Sequence, residues 1–266
     1  MAVRLLVVED PEALAAAAAA EFVRLAAAAI RERGGVRVAL AGGGTPRATY
    51  ERIAAVWRDA PGGPLAWERV HFFWGDERMV PAEDPRSNYG MARAALIERV
   101  PVPDANVHPI PADAANPAVA AARYEATLRE AFAEKGGTAI PRFDLVILGV
   151  GADGHTASLF PGDPSLRERS RLAVATRHPD TGEPRVTLTL PVLNNAAATI
   201  VLAAGGDKSE VLRRAVSEPD RPAGGGGGGP EPLPIERLRP TAGTLLFLAD
   251  KDAAPRARSG PADPNA

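Results

Sequence analysis

An alternation runs along this chain and limits what it can fold into: short runs of Val, Ile, Leu and Phe are separated by longer alanine-rich or amphipathic stretches. A parallel sheet is covered on both faces, so its strands read as near-continuous apolar runs joined by crossover helices. The pattern predicts an α/β fold with an open, mainly parallel sheet and helices on both faces. The expected strands are Val3 to Val8, Val36 to Ala41, Val70 to Trp74, Asp144 to Val150, Arg185 to Leu190, Thr199 to Ala203 and Thr244 to Ala249. Helices are expected to open at Asp10-Pro11, Thr45-Pro46, Asn88 and Pro117, where a capping residue or an early proline fits a first turn.

With 266 residues, 45% of them hydrophobic, the chain can bury a large core. A single α/β domain is expected over residues 1–253. Residues 220–234 include six consecutive glycines, Gly224 to Gly229, and several prolines, and such a composition buries too little side chain to order itself. A flexible surface loop is expected there, and a disordered tail over 254–266.

A formal charge of -2 gives no global attraction to nucleic acid or to an acidic membrane, so any anion site has to be local. The chain has no cysteine and four scattered histidines, which removes disulfides, thiolate metal sites and thiol nucleophiles together. Metal chemistry is not expected. The segment MAVRLLVVEDPEALAAAAAAEF interrupts its apolar stretch with Glu9, Asp10 and Glu12 and does not read as a secretion signal. No run of about 18 or more strongly apolar residues suggests a membrane span. The expectation is a cytoplasmic protein without nucleic-acid or membrane partners; subunit number is left open, a monomer included.

Four expected strands end in polar or glycine-rich sequence: GGGTP after Ala41, GDER after Trp74, GADGHTASLFPG after Val150 and GGDK after Ala204. Ligands of open parallel sheets bind beyond the carboxyl ends of the strands, so these loops can converge although they are far apart in sequence. Gly42, Gly43 and Gly44 would let a ligand approach the backbone, and Thr45-Pro46 would open a helix whose free N–H groups favour phosphate. A tight turn without ligand is the alternative. Lys208 is one of three lysines, with Lys135 and Lys251, in a chain that otherwise uses arginine; alone it would be an ordinary solvated charge.

His155 sits among small residues at a strand end, where an imidazole packs poorly but can accept a proton, its unperturbed pKa being about 6.5. A structural histidine bonded to backbone is the alternative, and the glycine context with three companion loops favours a base. His71 reads as a strand residue, His108 and His178 as surface residues. In Gly75-Asp76-Glu77-Arg78 a carboxylate can orient a base or substrate hydroxyls, and Arg78 can neutralise phosphate or a developing oxyanion. Arg185 is a further cationic candidate, with a plain surface reading open to it. Thr156 and Ser158 lie outside any G-x-S-x-G elbow and read as local hydrogen-bonding residues.

These residues also carry a likeness. ALAGGGTPRATYERI from Ala39, VHFFWGDERMVPAEDPRSNYGMA from Val70, FDLVILGVGADGHTASLFPG from Phe143 and RVTLTLPVLNNA from Arg185 occur in an order and spacing that resemble the 6-phosphogluconolactonases over nearly the whole chain. The resemblance implies a fold shared with glucosamine-6-phosphate deaminases and ribose-5-phosphate isomerases. It implies cofactor-free hydrolysis of 6-phospho-D-glucono-1,5-lactone to 6-phosphogluconate in the oxidative pentose phosphate pathway. By this likeness His155 is the general base and Asp76 a catalytic-site carboxylate. Arg78, Lys208 and Arg185 become cationic substrate ligands, and Gly43, Gly44 and Thr45 part of the sugar-phosphate pocket. The glycine run and Leu233-Pro234-Ile235-Glu236-Arg237 depart from the usual compact connection. Two rivals stand beside this reading: a glucosamine-6-phosphate deaminase built on the same Asp-Gly-His segment, and a non-catalytic sugar-phosphate sensor. TASLFPG after His155 and WGDER at Trp74 speak against the first, and no helix-turn-helix output module is visible for the second.

Overall fold

The computed structural model describes residues 2–59, 65–133, 140–217 and 231–255. The loop expected at 220–234 lies mostly outside these residues, as does the tail expected at 254–266. Six strands form one parallel sheet: β1 (Ala2–Val8), β2 (Val36–Leu40), β3 (Val70–Trp74), β5 (Leu145–Gly149), β8 (Ala198–Ala203) and β9 (Thr244–Asp250), in the spatial order β1-β9-β8-β5-β2-β3. All pairings are parallel. Side chains alternate between faces along a strand, and every residue of β8 is buried, so the sheet is covered on both sides there.

Helix α1 (Pro11–Arg33) starts because Asp10 accepts the Ala13 N–H at 2.8 Å and Pro11 has no N–H to satisfy. It ends at Gly34, whose φ of 78° permits the left-handed cap. By length and composition α1 could cross a membrane. Its apolar side is instead already used, with Leu14, Ala18, Phe22 and Ala26 buried in the core and the helix packed on the sheet and on α2 (Gly44–Val56).

The run Arg185 to Leu190, expected in the parallel sheet, does not belong to it. It forms β7 (Pro184–Leu188), which pairs antiparallel with β4 (Asp76–Arg78) and β6 (Ala173–Arg177) in a separate three-stranded sheet, and Leu190 opens the short helix α5 (Leu190–Asn194). The reason is loop length. Only residues 178–183 join β6 to β7, too few for a crossover, and they close as a hairpin in which Gly182 takes a φ of 69° and donates to the His178 carbonyl at 2.9 Å. Helix α4 (Pro117–Ala131) covers this small sheet, and α3 (Asn88–Ala95) follows β4. Helix α6 (Ser209–Ser217) follows β8.

Two buried tyrosines fix the ends of the strands from which functional loops leave. The Tyr50 hydroxyl accepts the Ala41 N–H at 2.8 Å and donates to the Ala41 carbonyl at 2.9 Å. Tyr124 does the same for Trp74, at 2.8 Å in each direction. Burial pushes both phenols well above the ordinary tyrosine range, so they stay protonated and keep both roles. His71 lies on β3 as expected; His108, expected at the surface, is half-buried and stacks on Phe73 at 4.5 Å and on His71 at 5.6 Å between ring centroids.

Candidate active site

The carboxyl ends of β2, β3, β5 and β8 open onto one cleft of about 300 Å³. Gly43, Gly44, Thr45, Asp76, Arg78, His155, Arg185 and Lys208 all line it, so the structure brings together every site residue expected from sequence. Another cavity, of about 350 Å³, is lined by Leu190, Pro191, Asn194 and Arg237 among others, and has no histidine and no glycine-rich strand end. Size does not separate the two; the convergence of titratable groups does.

The base is held by its own turn. The His155 ring places Nδ1 2.6 Å from Asp153 Oδ1, and the His155 backbone N–H donates to the same oxygen at 3.1 Å. Burial raises the Asp153 carboxyl, but the hydrogen bond and charge of His155 outweigh it and the net effect is a pKa below the ordinary value. An ionised carboxylate can only accept, so Nδ1 carries the proton and Nε2 of the neutral ring keeps its lone pair. The turn is tight. A Cβ on Gly151 would lie 2.1 Å from His155 Nδ1, and one on Gly154, at φ 83°, would lie 2.7 Å from Leu233. Leu233 and Ile235, whose N–H donates to the Gly154 carbonyl at 3.0 Å, therefore brace the base turn from behind. The segment that departs from the family pattern touches the active loop.

Across the cleft, β4 carries a carboxylate and a cation with different supports. Asp76 accepts the Ser158 hydroxyl at 2.6 Å and the Asn88 amide at 3.2 Å. Asn88 fits because its amide occupies the space a Gly42 side chain would fill. Glu77, 1% exposed, faces away from this chemistry. It accepts the backbone N–H groups of Arg78, Asn88 and Tyr89 at 2.7 to 2.8 Å and the Ser87 hydroxyl at 3.0 Å, an anion seated on the N-terminus of α3. Burial outweighs the pull of the three N–H groups and holds its carboxyl above the ordinary value.

Arg78 and Arg185 are register partners on β4 and β7. Arg78 donates to the Arg86 carbonyl and Arg185 to Glu183, yet the buried Nε of each has no partner. Burial first, then the neighbouring charge of Arg78, holds the Arg185 pKa below the ordinary value. Two adjacent guanidiniums with buried unpaired donors form a site for an anion. Gly43, at φ 107°, is the N-cap of α2 and no side chain caps that end, so the first N–H groups of the helix remain for a ligand. Lys208 pairs with Asp207 at 2.6 Å, and its turn is held by Asp250, whose carboxylate accepts the Gly205 N–H at 3.1 Å from both oxygens.

A family model described as glucosamine-6-phosphate isomerases/6-phosphogluconolactonase matches residues 9–247. The chain belongs to that family. It is 41% identical over 231 residues to a 6-phosphogluconolactonase of Synechocystis sp., covering 86% of this chain and 88% of the relative. A 6-phosphogluconolactonase of Bos taurus is 38% identical over 254 residues, covering 93% and 91%. Among solved structures, the 6-phosphogluconolactonase of Trypanosoma brucei superposes with a TM-score of 0.76 at 31% identity, covering 94% of this chain and 97% of that one.

Within this family member, sequence reasoning missed the supports rather than the cleft residues. Ser158 reads as a local hydrogen-bonding residue but bonds Asp76 across 82 positions. Asn88 opens α3 as expected, but its amide also serves Asp76, which the sequence did not show. Asp250, one residue past the expected strand Thr244 to Ala249, holds the Lys208 turn. In each case the partner is distant in sequence, and spacing carries no signal for it.

Proposed function

We propose that this chain hydrolyses 6-phospho-D-glucono-1,5-lactone to 6-phospho-D-gluconate, with His155 as the general base. One observation carries the assignment of roles: an imidazole whose Nδ1 is tied to Asp153 shares a cleft with two guanidiniums whose buried Nε groups lack partners. His155 Nε2 takes a proton from water as the water oxygen attacks the lactone carbonyl carbon. The carbonyl oxygen becomes an oxyanion, which the cations of the cleft stabilise. When the tetrahedral centre collapses, the bond to the ring oxygen breaks and the imidazolium returns its proton to that oxygen. The new carboxylic acid then ionises and releases one proton. Lys208 and the uncapped end of α2 are assigned to the phosphate, and Asp76 to a sugar hydroxyl. General-base help of about 10²–10⁴-fold added to positioning is sufficient for an activated ester, with no covalent nucleophile required.

The test is acid release from freshly generated phosphogluconolactone, with spontaneous opening subtracted and glucosamine 6-phosphate run in parallel for ammonia. We expect faster lactone opening with no metal or nucleotide added, and no substantial ammonia. Ammonia without lactone opening would make the chain a deaminase. Tight sugar-phosphate binding without turnover of either substrate would make it a sensor.

A further inference from the structure

Ser158 lies three residues past the base and is fully buried, and its hydroxyl points away from any role as a nucleophile because it donates to Asp76 Oδ2 at 2.6 Å. The turn around it is fixed from several sides. The Ser158 N–H donates to Thr187 Oγ1 at 3.3 Å, on the strand that carries Arg185. Thr156 Oγ1 donates to the Gly149 carbonyl at 2.8 Å, tying the turn back to β5. Between them Ala157, which lines the cleft, takes a φ of 49°, a conformation that a residue with a Cβ adopts only when its surroundings impose it.

We propose that Ser158 is a positioning residue for lactone opening and acts through Asp76. Its hydroxyl joins the turn that bears the base to the strand that bears Asp76 and Arg78, so this hydrogen bond, together with that of the Ser158 N–H to Thr187, sets the separation of His155 from the cationic wall. It also gives the buried Asp76 carboxylate a donor at Oδ2 while Asn88 serves Oδ1. The carboxylate is thereby held in one rotamer at the cleft, where it meets a substrate hydroxyl. A base displaced by even an ångström from its water loses much of its effect. Removing the hydroxyl therefore slows the chemical step more than it weakens binding. This assignment rests on the lactonase reading above.

The test is a double-mutant cycle on the full chain: wild type, Ser158→Ala, Asp76→Asn and the double variant, with kcat and KM on the phosphorylated lactone and Tm for each. Ser158→Ala is expected to lower kcat by about 10- to 100-fold, with KM changed by no more than about 3-fold. If the serine acts through Asp76, adding Ser158→Ala to Asp76→Asn costs little more, so the losses are far from additive. A role confined to packing would lower Tm and leave kcat of the folded fraction intact, which overturns the proposal. Additive losses overturn it too, as does a Ser158→Ala protein with the wild-type kcat. A wild-type protein that opens no lactone contradicts the lactonase reading itself and takes this assignment with it, an outcome distinct from the others because no variant is then needed to see it.

Discussion

The cations and acids in and beside the cleft differ in what already holds them, and this decides what each can offer a substrate. Asp153 and Asp76 are committed to His155 and to Ser158 and Asn88, so they position. Arg78 and Arg185 keep buried donors without partners, and Lys208 keeps two of its three protons beyond its contact with Asp207. Lys208→Met is therefore expected to weaken the phosphorylated lactone selectively. A charged hydrogen bond contributes roughly 1.5–3 kcal/mol, so KM should rise by about ten-fold or more while unphosphorylated gluconolactone is nearly unaffected. Steady-state kinetics on the two lactones check this, and equal losses on both would place Lys208 at the reacting carbonyl instead. The cleft residues other than Arg185 were legible in the sequence because each sits in a glycine-rich or polar stretch directly after an apolar run, whereas Arg185 opens one. Asp250, Asn88 and Ser158 were not, since their partners are brought near only by the fold.

At the scale of elements, the parallel strands were legible from their apolar runs and the small antiparallel sheet was not. β4 is Asp-Glu-Arg, which no propensity marks as a strand. β6 alternates Ala, Val and Thr with exposure at Ala175 and Arg177, too short and weakly apolar to stand out. β7 was found as a strand but assigned to the wrong sheet, because a buried apolar run does not reveal the direction of its partner. The tyrosine clamps offer a direct test of how elements deliver loops to the cleft. Tyr50→Phe leaves the Ala41 N–H and carbonyl without their buried partner, and Tyr124→Phe does the same at Trp74. Each should cost about 1–3 kcal/mol per group left unsatisfied. For a chain of this size that lowers Tm by roughly 2–4 °C per kcal/mol, measurable by thermal unfolding. An unchanged Tm in both variants would mean that water or a shift of the strand end replaces the hydroxyl.

For the whole molecule, one pair of pH-sensitive groups lies remote from the cleft. His71 and His108 are half-buried and stacked. Burial lowers both pKa values, assisted by Arg37 at His71 and by His71 at His108, with Glu130 opposing at His108; Phe73 packs on the His108 ring. Their folded pKa values lie below the unfolded value of about 6.5, so the unfolded chain binds more protons in that window. Stability is then full above about pH 6.5 and declines as pH falls through the lowered folded values. The drop in Tm from pH 7.5 to 5.0 should be smaller in a His71→Gln, His108→Gln protein than in wild type, and an equal drop would assign acid sensitivity to other groups. Catalysis by His155 is separate from this pair, and the decisive measurement is on His155→Asn, assayed for turnover of the phosphorylated lactone and for binding of 6-phosphogluconate, with spontaneous hydrolysis subtracted. Asparagine retains polarity and approximate size but cannot take a proton near neutrality. The kcat is expected to fall by about 10²–10⁴-fold with binding largely retained; a variant that binds and turns over at the wild-type rate would rule out His155 as the general base.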